Sequence, residues 1–439
     1  MGFENKSIQK GWVVFDWANS AYSLVIVSTI FPEVFNSFAG ENPQFLGIDF
    51  LSADTLYTYS ICFSFLVIAI LSPLLSGIAD YSGEKKKFMR VFTLLGSISC
   101  IGLYFFTPET LWIGVIGAIL ASIGYSGSMV FYNAYLPEIA AKSEQDSLSA
   151  KGYSYGYLGS SLLLISLFVM VAFYESLGFS SELQVFKTGF VLVGLWWFGW
   201  SQWTFKVLPN GSEKKIQQRD LKEKRKIKSA LKEGVIELQV VWNEIKSYPV
   251  IGKFLKAFFV TALGLQTLII VAPLFALNVV GMEGSELIVV VLIMQILGII
   301  GAMVFSKLSK TKGNVFSLIF ATLIYLLICI TAFIFADKNL FYVQAGFMGF
   351  ALGGMQSQAR SAYSKLLPKV EHTASYFSFY DVLEKVSIVL GTFIYGGVTY
   401  YLSDSEFVSA PRTGILILGG FFLLGLILWL PLRKEKQLL

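Results

Sequence analysis

Charged side chains are scarce in this sequence, and so are the residues that usually hold metals. Only 14% of the 439 residues are Asp, Glu, Lys or Arg, whereas 55% are hydrophobic; soluble domains carry about 25% charged residues. Histidine occurs once and cysteine three times. All three cysteines fall in long apolar segments, where we expect buried, inert thiols and no metal site. No Walker-type phosphate loop and no His-Glu-x-x-His motif is present, so we expect no cofactor and no enzymatic activity.

Long apolar segments are what the sequence contains instead. A helix needs about 20 apolar residues to cross the hydrocarbon core of a membrane, and twelve segments reach that length. They predict an all-α membrane protein with twelve transmembrane helices. The predicted spans are Trp12–Phe38, Thr55–Ile78, Phe88–Phe106, Leu111–Pro137, Ser149–Tyr174, Phe186–Leu208, Ile251–Val280, Ser285–Leu308, Asn314–Ala336, Phe341–Leu367, Ser375–Leu402 and Thr413–Leu432.

The basic residues lie on alternate loops between these spans. The loop after the second span holds Lys85, Lys86 and Lys87, and the loop after the eighth holds Lys310 and Lys312, whereas the intervening loops hold mostly Asp and Glu. Because positively charged loops stay in the cytoplasm, we expect both termini and the central loop to be cytoplasmic. This topology accounts for the net charge of +5, so the charge does not indicate nucleic-acid binding.

A basic segment divides the twelve spans into six and six. Residues 209–250 are rich in Lys and Arg, with few apolar residues before Val235. We therefore predict residues 1–208 as a first six-helix bundle, 209–250 as a cytoplasmic linker and 251–439 as a second bundle. The stretch from Leu221 to Trp242 lacks proline, which favours an amphipathic helix at the inner leaflet. A solvated connector held near anionic lipid and a regulatory element both fit this charge.

The loop after the second span carries the motif Gly77-Ile-Ala-Asp80-Tyr-Ser-Gly83, followed by lysines. The first glycine permits close helix approach and the second a tight turn. Asp80 can cap a helix end or pair with a cation such as Arg90. Within a six-plus-six chain, this motif resembles the major facilitator superfamily. The resemblance implies two six-helix bundles related by pseudo-twofold symmetry, and a gating role for Gly77, Asp80, Gly83 and Arg90.

Several other stretches resemble one branch of that superfamily, the vacuole-effluxer-like transporters. This branch includes autophagy-related vacuolar amino-acid effluxers of fungi and many bacterial permeases, so the resemblance implies an amino acid or a similar solute. The chain departs from the branch at Leu263, before Gly264 of the seventh span, where the branch often has an acid. The most informative matching stretches are Asp16-Trp-Ala-Asn-Ser-Ala-Tyr22, Phe131-Tyr-Asn-Ala-Tyr-Leu-Pro137, Gly353-Gly-Met-Gln-Ser-Gln-Ala-Arg-Ser361 and Glu384-Lys-Val-Ser387.

Polar residues inside the first and fourth spans are candidates for substrate binding or coupling, because polar groups in hydrocarbon are costly and mark solute or ion paths. Asp16 lies one turn into the first span, with Asn19 at i+3 on the same face and Tyr22 beyond it. Two interpretations of Asp16 remain open: a proton- or solute-linked group in a cavity, or a fixed ion pair or helix cap. Tyr132 and Asn133 of the fourth span either bind solute or serve packing and the interfacial belt.

The tenth and eleventh spans hold buried cations. The guanidinium of Arg360 can donate two parallel hydrogen bonds to a carboxylate, and Arg360 shares a helix face with Gln356. Two interpretations remain open: Arg360 anchors a substrate carboxylate, or it is a structural partner of an acid. Asp381 and Lys385 form an i,i+4 pair, so Lys385 is either neutralised internally or binds substrate and changes partners. Glu384 has no obvious local partner, which makes it a candidate to carry a coupling proton, as is the acid of the first span.

These features together predict a secondary active transporter. It would move a small polar, carboxylate-bearing solute by alternating access, with protons as candidate coupling ions and a site between the first, fourth, tenth and eleventh spans. Two other classes remain open: a lipid or drug exporter of the same fold, and a non-transporting receptor or scaffold. We expect a monomeric multi-pass protein of the bacterial inner (plasma) membrane, whose partners are its solute and the lipid bilayer.

Overall fold

The computed structural model describes residues 5–50, 52–210, 227–368, 372–402 and 410–435, and most of this part of the chain is helical. In hydrocarbon a backbone must satisfy its own hydrogen bonds, which a helix does within one segment. The α-helices of the described part are α1 (Lys6–Ala21), α2 (Phe31–Ala39), α3 (Ala53–Ser82), α4 (Lys85–Gly102), α5 (Leu111–Ala134), α6 (Leu136–Ile139), α7 (Lys142–Ala172), α8 (Glu182–Val207), α9 (Ile227–Ser247), α10 (Pro249–Phe275), α11 (Gly284–Lys312), α12 (Asn314–Ile334), α13 (Lys338–Leu366), α14 (Thr373–Tyr401) and α15 (Ala410–Trp429).

Shorter elements extend or connect these helices. A nine-residue π-helix, Tyr22–Ile30, joins α1 to α2, so the first predicted span is one continuous helical segment, Lys6–Ala39. A second π-helix, Ala276–Val280, extends α10. Two short strands, β1 (Gln44–Phe45) and β2 (Ile48–Asp49), form an antiparallel hairpin. The 3₁₀ helices are Leu103–Phe105, Pro108–Thr110 and Leu430–Lys434.

The long helices match the twelve predicted spans in order. Ten helical segments of the described chain are long and apolar enough to cross a membrane. Helices α8 and α13 are 26 and 29 residues long and occupy the places of the sixth and tenth predicted spans. The second half of α13 contains Gln, Ser, Arg and Lys, and these polar residues make it less apolar than its neighbours.

The backbone contacts divide the chain into two compact units. The first comprises the described residues of Gly2–Tyr135 and Tyr155–Leu238, and the second those of Leu136–Ser154 and Gln239–Leu439. The first turns of α7 therefore belong to the second unit. The predicted boundaries of 1–208 and 251–439 had placed the whole fifth span in the first bundle, and that division stays a prediction.

Glycines allow helices to pack closely within each unit. In the second unit, a Cβ on Gly353 of α13 would lie 2.0 Å from the carbonyl oxygen of Gly298 in α11. In the first unit, a Cβ on Gly124 of α5 would lie 2.4 Å from the backbone nitrogen of Gly96 in α4. Both separations are far below van der Waals contact. Small residues at these positions bring the two backbones together, which is how membrane helices associate without a hydrophobic driving force.

The described part of the linker contains the predicted helix, α9, which ends five residues later than predicted. The prediction ran from Leu221 to Trp242; α9 runs from Ile227 to Ser247, and residues 221–226 lie outside the described part. The second half of α9 packs in the second unit through Val241 and Ile245, which are buried. Trp242 also packs its ring against Phe379 of α14. The linker helix is thus attached to the start of the eleventh span.

Candidate functional site

Asp16 and Tyr132 lie together in the first unit, where α1 meets α5. The Tyr132 hydroxyl donates a hydrogen bond to Asp16 Oδ2 at 2.6 Å, and both side chains are buried. Trp12 stacks on the Tyr132 ring with 4.4 Å between ring centroids, and its Nε1 donates to the Tyr132 carbonyl at 2.9 Å. Asn133, the next residue, is half-buried. Two predicted residues therefore form one buried polar pair.

The other candidates from the first span contact neutral neighbours. Asn19 is fully buried, and its Nδ2 lies 3.0 Å from the sulfur of Met129 in α5. Tyr22 begins the π-helix, and its ring packs against Tyr125 and Trp197 with centroid separations of 5.2 and 5.8 Å. These side chains form a mixed aromatic and polar lining along one side of the first helical segment.

The motif after the second span forms a buried ion pair. Asp80 lies in the last turn of α3. Its carboxylate lies 3.8 Å from Lys85 Nζ, and the side chains of Asp80 and Lys85 are 0% and 7% exposed. Gly83 terminates the helix in the left-handed region at φ 74°, where a glycine is favoured because it has no Cβ. Gly77 is buried within α3. The cation that pairs with Asp80 is thus Lys85, whereas the sequence had suggested Arg90.

Arg90 instead joins α4 to the end of α8. It donates to the carbonyl of Phe205 at 3.1 Å, and its guanidinium lies over the Phe205 ring at 5.2 Å. Lys86 likewise donates to the carbonyl of Leu208 at 2.6 Å. Basic side chains at a helix C-terminus stabilise its unpaired carbonyls. This part of the motif therefore caps α8 within the first unit.

Arg360 of α13 is bound to the beginning of α7. Its Nε donates to Ser149 Oγ at 2.9 Å and one terminal nitrogen donates to the Ser149 carbonyl at 2.8 Å. The guanidinium also lies 4.1 Å from the centre of the Tyr153 ring, and Ser149 Oγ donates to the carbonyl of Ser357. Arg360 is 1% exposed, while Gln356 is half-buried. The guanidinium nitrogens of Arg360 thus make hydrogen bonds that join α13 to α7.

A charged triad occupies the first half of α14. Lys385 Nζ lies 3.6 Å from Asp381 Oδ1 and 3.8 Å from Glu384 Oε2. Gln266 of α10 donates to Glu384 Oε1 at 2.7 Å. Asp381 and Lys385 are buried, and the Glu384 side chain is 25% exposed. The i,i+4 pair predicted from the sequence is present, and Glu384 has a partner from the seventh span that the sequence did not reveal.

Tyr380 links the triad to Arg360. Its ring stacks on Phe258 of α10 with 4.1 Å between centroids, and the side chain is buried. It interacts electrostatically with Glu384, Asp381, Arg360 and Tyr153. The charges of Arg360 on α13 and of the two acids on α14 thus act on one tyrosine in the second unit, and with Lys385 these residues form the candidate functional site.

Sequence reasoning missed a second buried cluster, centred on Asp146 of α7. The carboxylate accepts hydrogen bonds from Ser309 at 2.7 Å, Asn314 at 2.8 Å and Lys365 at 2.7 Å, and also from Ser361. These donors come from α11, α12 and α13. Asp146 is 2% exposed, so the four donors replace water around a fully buried charge.

A helical spacing was the available signal for this cluster. Asp146, Ser149 and Tyr153 are spaced i, i+3 and i+7, which places them on one face of a helix, and all three contact α13. The predicted fifth span began at Ser149, so Asp146 fell outside the residues considered as intramembrane charges. A longer helix, starting at Lys142, would have brought the acid into consideration.

One sequence match to an enzyme motif has the wrong structural context. Gly152-Tyr-Ser-Tyr-Gly156 fits the Gly-x-Ser-x-Gly spacing of hydrolase nucleophiles. That motif needs a sharp strand-to-helix turn to expose its serine. Here the five residues lie within the continuous helix α7, so they form no nucleophile elbow.

Sequence comparisons identify relatives along nearly the whole chain. The profile of the family described as "Vacuole effluxer Atg22 like" matches residues 4–438. An uncharacterized MFS-type transporter of Bacillus subtilis, YxiO, is 27% identical, and the alignment covers 95% of this chain and 94% of that protein. Autophagy-related protein 22 of Kluyveromyces lactis is 23% identical, with 89% of this chain and 87% of that protein covered.

Solved structures show the same fold at low sequence identity. The human organic anion transporter MFSD10 superposes with a TM-score of 0.73 at 11% identity, covering 97% of this chain and 99% of that one. The proton:xylose symporter XylE superposes with a TM-score of 0.70 at 14% identity, covering 96% and 94%. The predicted fold class and the absence of an enzymatic role are confirmed. The protein is a multi-pass membrane transporter of the major facilitator fold, and the chain belongs to the vacuole effluxer Atg22-like family.

Proposed function

We propose that this transporter carries a small polar solute with at least one carboxylate by alternating access. The observation that carries the proposal is the charged group around Tyr380, in which Arg360 and Lys385 are the cations and Asp381 and Glu384 the acids. Charged groups inside membrane spans are costly to insert and tend to mark solute and ion paths. Their concentration on α13 and α14 supports a polar cargo over an apolar one.

An amino acid is the first candidate for that cargo. A site with two cations and two acids can offer an oppositely charged partner to each end of a zwitterion. A solute with a single carboxylate would use only Arg360 or Lys385. The charge pattern thus agrees with the solute class that the family resemblance implies.

Arg360 would act by exchanging partners. In this structure its fork binds Ser149, whose hydroxyl and carbonyl are neutral acceptors. A carboxylate would offer a stronger, charge-assisted and bidentate contact. A solute that binds one conformation better than the other shifts the population between them. A solute carboxylate that takes the place of Ser149 as the partner of Arg360 in one conformation would be such a differential contact.

Proton coupling is part of the proposal, since buried or half-buried carboxyls occur in the predicted spans of both units. Asp16, held by Tyr132, is one candidate, and Glu384 is another. Leu263 occupies the place where the branch often has an acid, so coupling would depend on other helices. We further propose that both termini lie in the cytoplasm, on the basis of the positively charged loops. A monomer in a bacterial plasma membrane is also part of the proposal.

The test is a ligand screen followed by transport. Purified protein in detergent would be heated with each proteinogenic amino acid, with simple carboxylic acids, with phospholipids and with hydrophobic drugs. We expect at least one carboxylate-bearing compound to raise the melting temperature saturably and to be taken up by proteoliposomes. Stabilisation and transport of lipids or drugs alone would favour an exporter of apolar compounds. Binding without transport would favour a receptor.

A further inference from the structure

We infer that Asp381 is the residue that binds and releases the coupling proton, an inference that rests on the proposed transport function. Asp381 lies in the first half of α14 and is 6% exposed. Its Oδ1 lies 3.6 Å from Lys385 Nζ, whereas its Oδ2 is buried and has no hydrogen-bond partner. A buried carboxylate oxygen without a donor is expensive, so it is a natural place for a proton.

The charge balance of the triad leads to the same conclusion. One ammonium, Lys385, lies within 4 Å of two carboxyls, at 3.6 Å from Asp381 and 3.8 Å from Glu384. With both carboxyls ionised, the group carries one net negative charge in a mostly buried place. One bound proton makes the group neutral. Unbalanced charge in an apolar interior is costly, so the arrangement favours the singly protonated triad.

The two carboxyls differ in how well their charge is supported. Glu384 Oε1 accepts a hydrogen bond from Gln266 at 2.7 Å, its other oxygen faces Lys385, and a quarter of the side chain is exposed. Asp381 has neither the amide donor nor comparable exposure. Glu384 therefore keeps the negative charge, and the proton goes to Asp381. This assignment replaces Glu384, the acid that the sequence suggested in this span.

The neighbouring helices add one further cation, Arg360 of α13, whose guanidinium binds Ser149 and lies over the Tyr153 ring. Helix α10 contributes the neutral Gln266, and α9 contributes Glu244, which accepts a hydrogen bond from Tyr376 more than a turn before Asp381. Helix α15 meets α14 further along, where a Cβ on Gly414 would contact Tyr395. The ionisable groups acting on the adjacent Tyr380 are Glu384, Asp381, Arg360 of α13 and Tyr153 of α7.

The coupling step is a simple proton transfer. Water on one side of the membrane gives a proton to Asp381, and the carboxyl returns it to water on the other side after the conformational change. No bond of the solute forms or breaks. Because Lys385 can balance only one carboxylate, release of the proton leaves the triad negatively charged until a new proton or a cationic group arrives.

Proteoliposomes containing a trapped pH dye test the inference. A mixture of the proteinogenic L-amino acids would be added outside, and both dye response and radiolabel uptake would be followed. We expect solute-driven proton movement in the wild type and in Glu384→Gln, whatever the KM of that variant. Asp381→Asn should lose proton movement and gradient-driven accumulation even at solute concentrations where its counterflow, at whatever KM, still runs. Glu286→Gln, which alters a half-buried pair with Lys338 outside the triad, is the matched control.

The outcomes separate the two proposals. Counterflow by the wild type without any proton movement, or full proton movement by Asp381→Asn, would overturn the inference and leave the transport function standing. Absence of counterflow for every carboxylate-bearing solute would overturn both. Infrared difference spectroscopy gives a readout without solute: a protonated-carboxyl band should be present in the wild type and missing in folded Asp381→Asn.

Discussion

Lys365 of α13 donates to Asp146 Oδ2 of α7 at 2.7 Å, and the side chains of this ion pair are only 11% and 2% exposed. Lys365 also donates to Asn314 Oδ1 at 2.7 Å, so the ammonium is shared between an acid and an amide. One turn further along, Arg360 binds Ser149 of the same α7 face. These contacts attach the predicted cytoplasmic end of the fifth span to the eighth, ninth and tenth spans.

Asp146→Asn should destabilise the protein strongly, because it leaves Lys365 buried without its counter-charge. Breaking one partner of a buried ion pair costs about 3–5 kcal/mol. The melting temperature in detergent is the measurement, and Glu144→Gln, an exposed acid on the same helix, is the control. Removing the ammonium as well, in Asp146→Asn with Lys365→Gln, should recover part of the loss. Equal melting temperatures for Asp146→Asn and Glu144→Gln would contradict a structural role for the cluster.

Arg360→Lys should raise the KM for a carboxylate-bearing solute more than it lowers kcat. A lysine supplies a point charge where arginine supplies a planar fork, and a lost hydrogen bond to a charged group is worth about 1.5–3 kcal/mol. Ser149→Ala keeps the guanidinium and removes one of its acceptors, together with the hydroxyl's bond to the Ser357 carbonyl, so its KM should change little. Uptake kinetics in proteoliposomes give both constants. An unchanged KM with a lower melting temperature would show that Arg360 serves helix packing alone.

Tyr132→Phe should impair transport, because it removes the hydrogen bond that the Tyr132 hydroxyl donates to Asp16. The variant keeps the ring that stacks on Trp12 but removes the donor to the carboxylate, a loss of about 1.5–3 kcal/mol for a charged acceptor. Tyr135→Phe is a close control, since that buried hydroxyl donates to the neutral carbonyl of Pro209 at 3.0 Å. Uptake rates and melting temperatures would be compared. If both variants lose the same activity, the pair with Asp16 has no special part in transport.

Gly353→Ala should separate α11 from α13 and lower stability. The new Cβ would meet the carbonyl oxygen of Gly298 at 2.0 Å, and backbone cannot move aside as a flexible side chain can. Overpacking of this kind costs about 1–3 kcal/mol or more. Gly420→Ala is the control, because nothing lies within 4 Å of its Cβ; alanine there favours the helix by up to about 1 kcal/mol. A melting temperature of Gly353→Ala at or above that of Gly420→Ala would contradict the close packing.

The helical architecture could be predicted from the sequence because long apolar segments leave few alternatives. The linker helix was also foreseen, although it continues to Ser247, past the predicted end at Trp242. The π-helix at Tyr22–Ile30 was not foreseen, since its shift in hydrogen bonding has no compositional signal. Span ends were misjudged where polar residues continue a helix, as at the start of α7.

Partners across the fold were harder to predict than the residues themselves. Asp16 and Tyr132 were both candidates, but their hydrogen bond depends on the relative register of α1 and α5. Gln266 was overlooked because a neutral amide gives no charge signal, yet it binds Glu384. Arg360 was a candidate partner for a solute carboxylate or an acid, and its hydrogen bonds to Ser149 were not foreseen. Such pairings follow from helix rotation and depth, which composition does not determine.

Solute counterflow by a Lys385 variant tests the central claim, that the charges around Tyr380 bind the cargo, most directly. Proteoliposomes loaded with unlabelled amino acids would receive labelled amino acids outside. The wild type would be compared with Lys385→Met and with a control at a half-buried lysine, Lys338→Met. We expect saturable exchange in the wild type and in Lys338→Met, and its loss in Lys385→Met at a melting temperature that still shows a folded protein. Exchange by Lys385→Met at the wild-type rate would contradict the claim that the charges around Tyr380 bind the cargo.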